Sequence, residues 1–133
     1  MVIPKVNGFP TIILWAVAAI VIVWFIWNKT TFGKNLYAVG GNPEAAAVSG
    51  ISVFAVTLGA FIMAGILYGF GSWLECTRMV GSGSAAYGQG WDMDAIAACV
   101  VGGVSFTGGI GKISGVVTGV CIFTALTYSL TIL

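Results

Sequence analysis

The sequence predicts an all-α protein built from polytopic transmembrane helices. Three observations carry that expectation. Of 133 residues, 59% are hydrophobic and only 7% charged, whereas a soluble domain is about 45–50% apolar and about 25% charged. The mean hydropathy is +1.05. Uncharged stretches long enough to cross a bilayer recur along the chain, separated by the segments that hold the charge.

The first stretch, over 11–27, reads TIILWAVAAIVIVWFIW. At 1.5 Å per residue its roughly 17 residues cover about 26 Å, close to the ~30 Å hydrocarbon core. Trp24 and Trp27 suit an interfacial belt at its C-terminal end. The preceding MVIPKVNGFP has a single basic residue and two prolines, and no small-residue cleavage site follows the apolar run. The run is therefore read as a retained span rather than a secretory signal. Lys29 and Lys34 come next, and the positive-inside rule places the loop 28–52 in the cytoplasm.

That loop contains GNPEAAAVSG, a short helix with its own start and stop. Asn42 can cap it, Pro43 fits its first position, and Glu44 sits where the helix dipole favours an anion. Gly50 can close it in a left-handed turn. An isolated helix shorter than ~12 residues is marginal in water. Ala45, Ala46, Val48 and Ser49 present little bulk, and Gly41 and Gly50 permit close approach to another backbone. The element suits a groove on a cytoplasmic partner. The plainer reading is a surface loop resting on its own membrane domain.

A second uncharged span covers 53–74 and would run from cytoplasm to exterior. The external segment 75–94 holds Glu75, Arg78, Asp92 and Asp94 around the loop-like GSGSAAYGQG. Glu75 and Arg78 are three apart and can pair at a helix end. Trp73, Tyr87 and Trp91 suit interfacial anchoring, or stacking on a sugar ring. Trp91 and Asp94 are candidate external or pathway contacts. Asp92 or Asp94 is expected to cap the following helix.

The segment 95–111, AIAACVVGGVSFTGGIG, is apolar but interrupted by Gly102-Gly103 and Gly108-Gly109. Each glycine costs a helix interior about 1 kcal/mol, so a broken span is expected, either crossing with a kink or entering and bending. These four glycines are further candidate pathway positions. Lys112 favours a return to the cytoplasm, and 113–133 forms a last span that runs to the chain end without a polar tail. The expectation is a segment of three or four spans from a larger membrane protein. Gly65 and Gly69, and Gly111, Gly115 and Gly119, recur every fourth residue. Such stripes let helices approach closely in lipid, within one chain or across a dimer.

Several functions are excluded. There is no histidine, so a Ser-His-Asp set cannot form. WNKTTFGKN lacks the glycines of a phosphate-cradling loop. Cys76, Cys99 and Cys121 form no CxxC pair and read as packing residues rather than zinc ligands. A net charge of +1 gives no nucleic-acid footprint. Neither catalytic residues nor a cofactor or metal site is expected.

Two blocks, NKTTFGKNLYAVGGNPEAAAVSGISV and DAIAACVVGGVSFTGGIGKISGVVTG, resemble, in that order and spacing, the permease subunits of bacterial ATP-binding-cassette importers for simple sugars. This is the ribose, xylose and galactose group, and the blocks are most similar to its galactose/methyl-galactoside branch. The resemblance covers the chain from about residue 15 onward and points to the C-terminal half of such a permease. It implies that Gly41, Asn42, Pro43, Glu44, Ala45, Ala46, Val48, Ser49 and Gly50 form the coupling helix that docks on the ATPase subunit. Further implied partners are an external sugar-binding protein, a second permease subunit and the lipid of the bacterial inner membrane. ATP hydrolysis would belong to the separate subunit. The alternatives are a ribose- or xylose-type permease, an ion-driven secondary transporter, whose broken helices mark binding sites, and a non-transporting membrane remnant.

Overall fold

The computed structural model describes residues 5–6, 9–79 and 83–133. A two-residue antiparallel ladder, β1 (Lys5–Val6) with β2 (Phe9–Pro10), pairs Lys5 with Pro10 and Val6 with Phe9. The other regular structure among the described residues is helical: α1 (Thr11–Lys29), α2 (Thr31–Gly41), α3 (Pro43–Val48), α4 (Val53–Met79), α5 (Trp91–Val101) and α6 (Ile113–Ile132). Among the described residues, α1, α4 and α6 are long and apolar enough to cross a membrane.

The elbow between α1 and α2 is built by two residues. Thr30 is extended, which ends α1, and its hydroxyl donates to the Ile26 carbonyl at 2.5 Å. The same oxygen accepts from the Gly33 amide and so caps α2. Gly33 is buried, and a Cβ there would collide with the Trp27 carbonyl. The sequence predicts a single short helix in the loop 28–52; the structure adds α2 ahead of it.

The span α4 extends beyond 74 to Met79, taking in Glu75 and Arg78. Trp15 of α1 stacks edge-on against Phe70 and Trp73 of α4, with ring centroids 6.3 and 5.8 Å away. The start of α1 therefore lies beside the end of α4. At the opposite end Phe32 of α2 fills the space over Gly59.

α5 begins earlier than expected, and this corrects the expected cap. Gly90, left-handed with φ 84°, stands at the cap position, so Asp92 and Asp94 fall inside the first turn without capping it. There the helix dipole favours their charge. α5 ends at the glycine pair. Gly103 is left-handed, and bonds from the Gly103 amide to Val100 and from the Val104 amide to Cys99 close the end. Eleven helical residues cover about 16 Å, well short of the ~30 Å core. The 95–111 segment is therefore a short helix followed by a loop.

The chain turns through 102–112 and α6 runs back along α5. A Cβ at Gly102 would collide with Gly115, and one at Gly119 with Ala98 and Gly102. Residue 98 thus meets 119 and 102 meets 115, the pattern of an antiparallel pair. Threonines 118, 124, 127 and 131 of α6 each donate their hydroxyl to the carbonyl four residues earlier. This hides polar groups that lipid cannot solvate.

Only Ala46, Val56 and Ala98 are buried apolar residues among those described. The helices meet along narrow seams, and broad apolar faces of α1, α4 and α6 remain open.

Candidate functional site

α3 is the element the sequence singled out. Asn42 serves both helices it joins: its amide donates to the Ala38 carbonyl of α2 at 3.0 Å, and its side-chain oxygen accepts from Ala45 of α3 at 3.1 Å. Pro43 holds the first position and Glu44 the first turn. Gly50, with φ 83°, donates to Ala47 while Ile51 donates to Ala46, which closes the C-terminus. Ala46 is turned inward at 4% exposure, whereas Val48 is 90% exposed. Glu44, one turn before Val48, is also exposed. The outward face is therefore a small apolar surface with one carboxylate.

The far side of α2 from the elbow lies on the glycine loop 102–112. A Cβ at Gly40 would sit 2.6 Å from the Gly109 amide nitrogen, and one at Gly108 would sit 2.6 Å from the Gly40 carbonyl oxygen. Gly108 and Gly109 are left-handed, with φ 88° and 71°. The contact is backbone against backbone, which no side chain fits. Beside it Tyr37 donates its hydroxyl to the Gly111 carbonyl at 2.5 Å. A cavity of about 330 Å³ opens at this junction, lined by Tyr37, Gly40, Cys99, Ser105 and Lys112 among others. The loop is folded on itself: Ser105 and Thr107 share a 2.8 Å hydrogen bond, and the Ser105 amide donates to Ile110.

A second group lies at the other end, where α4 finishes and α5 starts. Tyr87 and Trp91 stack edge to face at 5.1 Å. The Tyr87 hydroxyl donates to Glu75 at 3.2 Å, and Arg78 pairs with the same carboxylate oxygen at 3.7 Å. Glu75, Tyr87 and Trp91 border a cavity of about 760 Å³ with Tyr68 on its wall. A third cavity, about 450 Å³, shares Tyr68 and continues along α5 past Asp92, Ala95, Ile96 and Cys99 to Phe106.

The structure thus brings Trp91 into the larger cavity and Gly108 and Gly109 into the junction. Asp94 is exposed and lines none of these cavities; Asp92 does. Gly102 and Gly103 close α5, and Gly102, Gly115 and Gly119 form the α5–α6 seam. Gly111 touches Val104 of its own loop, and Gly65 and Gly69 meet nothing within 4 Å. Tyr37, Tyr68, Cys99, Ser105 and Phe106 are among the cavity residues that carry no pathway signal in the sequence, and Glu75 and Asp92 line cavities as well. Among the described residues no three His, Cys, Asp or Glu side chains are grouped to hold a metal ion, and the three cysteines are free.

Long apolar helices, a short helix that stops at a glycine pair, and a small exposed helix beside them are the architecture of a multi-pass membrane protein. The chain belongs to the family described as branched-chain amino acid transport system / permease component, whose model matches residues 4–133. It is 61% identical over 125 residues to the galactose/methyl galactoside import permease protein MglC of Treponema pallidum, covering 94% of this chain and 23% of that protein. The MglC protein of Escherichia coli is 53% identical over 120 residues, covering 90% of this chain and 35% of its own length. The xylose transport system permease protein XylH of Haemophilus influenzae is 45% identical over 118 residues, 89% of this chain and 31% of that protein. The chain thus spans about a quarter to a third of the length of these relatives. No solved structure matches it. It is a multi-pass protein of the bacterial inner membrane.

Proposed function

We propose that the full-length protein is the permease subunit of an ATP-driven importer for galactose and methyl galactosides, and that α3 is where the ATPase subunit acts on it. The observation that carries this reading is the outward face of α3, where Val48 is 90% exposed beside Glu44. A helix of six residues with that face open needs a partner. The charge distribution supports a cytoplasmic position. Three of the five basic residues, Lys29, Lys34 and Lys112, fall at the α2 end of the bundle. The names of the relatives support the sugar.

In this reading two permease subunits form the path, an external binding protein delivers sugar, and the chain performs no chemistry and takes no cofactor. Nucleotide-bound and nucleotide-free ATPase states contact α3 differently, and that difference biases the pore between inward- and outward-facing states. The test is reconstitution of the full-length permease with its ATPase and binding protein in proteoliposomes. Galactose uptake that requires ATP and persists after ion gradients are dissipated is the expected result. Uptake driven by an ion gradient without ATP would overturn it. That outcome would favour the secondary-transporter reading, to which the α5 helix ending at Gly102-Gly103 lends support.

The cavity at the external end is assigned to the sugar path. An aromatic face beside a hydrogen-bonded carboxylate suits a pyranose ring, and Trp91 supplies that face. Trp91→Ala is expected to raise the half-saturating galactose concentration about 3- to 10-fold, the worth of one aromatic contact, with the maximal rate little changed. Trp73→Ala, whose ring packs on Trp15 and Phe70 instead, serves as the control. Equal half-saturation in the two variants would remove Trp91 from the path.

A further inference from the structure

α3 lines none of the cavities described above, so its motion reaches them only through the elements packed beside it. We propose that α2 is the relay, with Tyr37 and Gly40 as the positioning residues that carry the motion of α3 onto the glycine loop and so onto the α5–α6 hairpin. The proposal rests on α3 being the coupling helix.

Three observations lead to it. First, α2 and α3 are bonded through one residue, since Asn42 both closes α2 and caps α3. A displacement of α3 is therefore transmitted to the C-terminal turn of α2. Second, the other end of α2 is pinned: Gly33 lies against the Trp27 carbonyl, and Thr30 bonds to both helices. With one end fixed, α2 swings rather than slides. Third, the swinging end meets the glycine loop with nothing between the backbones. Gly40 abuts Gly108 and Gly109, Gly41 abuts Gly109, and Tyr37 is bonded to Gly111 across 74 positions of sequence. Side-chain contacts can absorb a shift by changing rotamer, but a backbone contact at van der Waals distance cannot.

The loop in turn is tied to the hairpin. It begins at the glycine end of α5 and ends at the start of α6, and the two helices are locked at Gly102, Gly115 and Gly119. Cys99 lines both the junction cavity and the cavity that runs past Asp92, so a shift of α5 alters both. Glycine at 40 is required by the contact, and the Tyr37 hydroxyl sets its register.

The test uses the full-length permease assembled with its ATPase and binding protein, and reads the sugar moved per ATP hydrolysed. Tyr37→Phe removes only the hydroxyl and Gly40→Ala adds one methyl. Both are expected to copurify with the ATPase at wild-type yield and to keep ATP hydrolysis. The transport-to-hydrolysis ratio is expected to fall about five-fold for Tyr37→Phe, the net worth of one hydrogen bond, and about ten-fold or more for Gly40→Ala. Tyr128→Phe, the same loss of a hydroxyl on the exposed face of α6, is expected to keep the ratio. If Gly40→Ala does not accumulate, Tyr37→Phe decides alone. A wild-type ratio in Tyr37→Phe would overturn the relay while leaving the importer intact. Transport and hydrolysis falling in step would also overturn it, since the contact would then only maintain the fold. A wild-type complex without ATP-driven uptake would remove the importer reading and the relay together.

Discussion

Glu44→Arg or Val48→Trp in the full-length permease is expected to abolish ATP-driven uptake while the protein still reaches the membrane in normal amount. Both side chains point away from the rest of the chain: Val48 is 90% exposed, and Glu44 is exposed one turn earlier. Neither makes a side-chain contact that holds α2, α3 or α4, so folding has little to lose. A groove fitted to alanine and valine has no room for an indole, and overpacking costs typically 1–3 kcal/mol. In the proposed docking, reversing the charge turns the attraction to a basic group of the ATPase into a repulsion. A loss of docking of about 3 kcal/mol is roughly a 100-fold loss in affinity. The measurement is uptake of labelled galactose normalised to membrane-inserted permease, with ATPase recovery on the purified permease as a second readout. Ala46→Trp is the contrasting variant, because Ala46 is 4% exposed and its replacement strikes the fold rather than the partner. Normal uptake in both surface variants would remove α3 from the coupling role.

How much of this was legible in the residues depends on where the information lies. α3 was legible because its limits are written locally: Asn42 at the cap, Pro43 at the first position and Gly50 in the left-handed closure. The end of α5 was legible for the same reason, at Gly102-Gly103. α2 was not. Its sequence TFGKNLYAVGG carries glycines that each cost a helix about 1 kcal/mol. What holds it is the Thr30 cap, the Gly33–Trp27 contact and the junction with residues 108–111, and the last of these is remote in sequence. The tail of α4 was missed because Glu75 and Arg78 end the apolar run without ending the helix. Both are good helix formers, and they pair at i and i+3.

The choice of Asp94 over Asp92 shows a different limit. Once α5 is known to start at Trp91, Asp92, Ala95, Ile96 and Cys99 share one face by helical spacing, and that face lines a cavity. The face was present in the sequence, but its phase was hidden while the helix start was placed four residues late. The Tyr37–Gly111 bond left no signal at all, since a tyrosine and a carbonyl 74 residues apart have no local pattern.

Gly119→Val is expected to disrupt the α5–α6 hairpin, and the comparison with Gly65→Val decides what the two small-residue stripes are for. At Gly119 even a methyl group would meet the Ala98 carbonyl, and it would lie 2.6 Å from the Gly102 amide nitrogen and 2.8 Å from its Cα. All three are backbone atoms, so the helices must separate to admit a side chain. Valine forces a larger separation, and the resulting loss of packing and strain is on the order of 3 kcal/mol. In lipid no hydrophobic drive restores the contact, because the tails are as apolar as the helices. The full-length Gly119→Val permease should therefore lose its monodisperse peak in detergent and unfold at markedly lower temperature. A wild-type profile would show that the seam tolerates separation. Gly65 and Gly69 meet nothing within 4 Å in this chain. If their face is bare to lipid, Gly65→Val leaves the melting temperature of the full-length protein unchanged or slightly raised, since valine is less costly than glycine in a helix. If Gly65→Val is as damaging as Gly119→Val, that face is covered in the full-length protein. Crosslinking between differently tagged copies at Gly69→Cys then separates a second subunit from the remaining spans of the same chain, because only the former yields a mixed dimer.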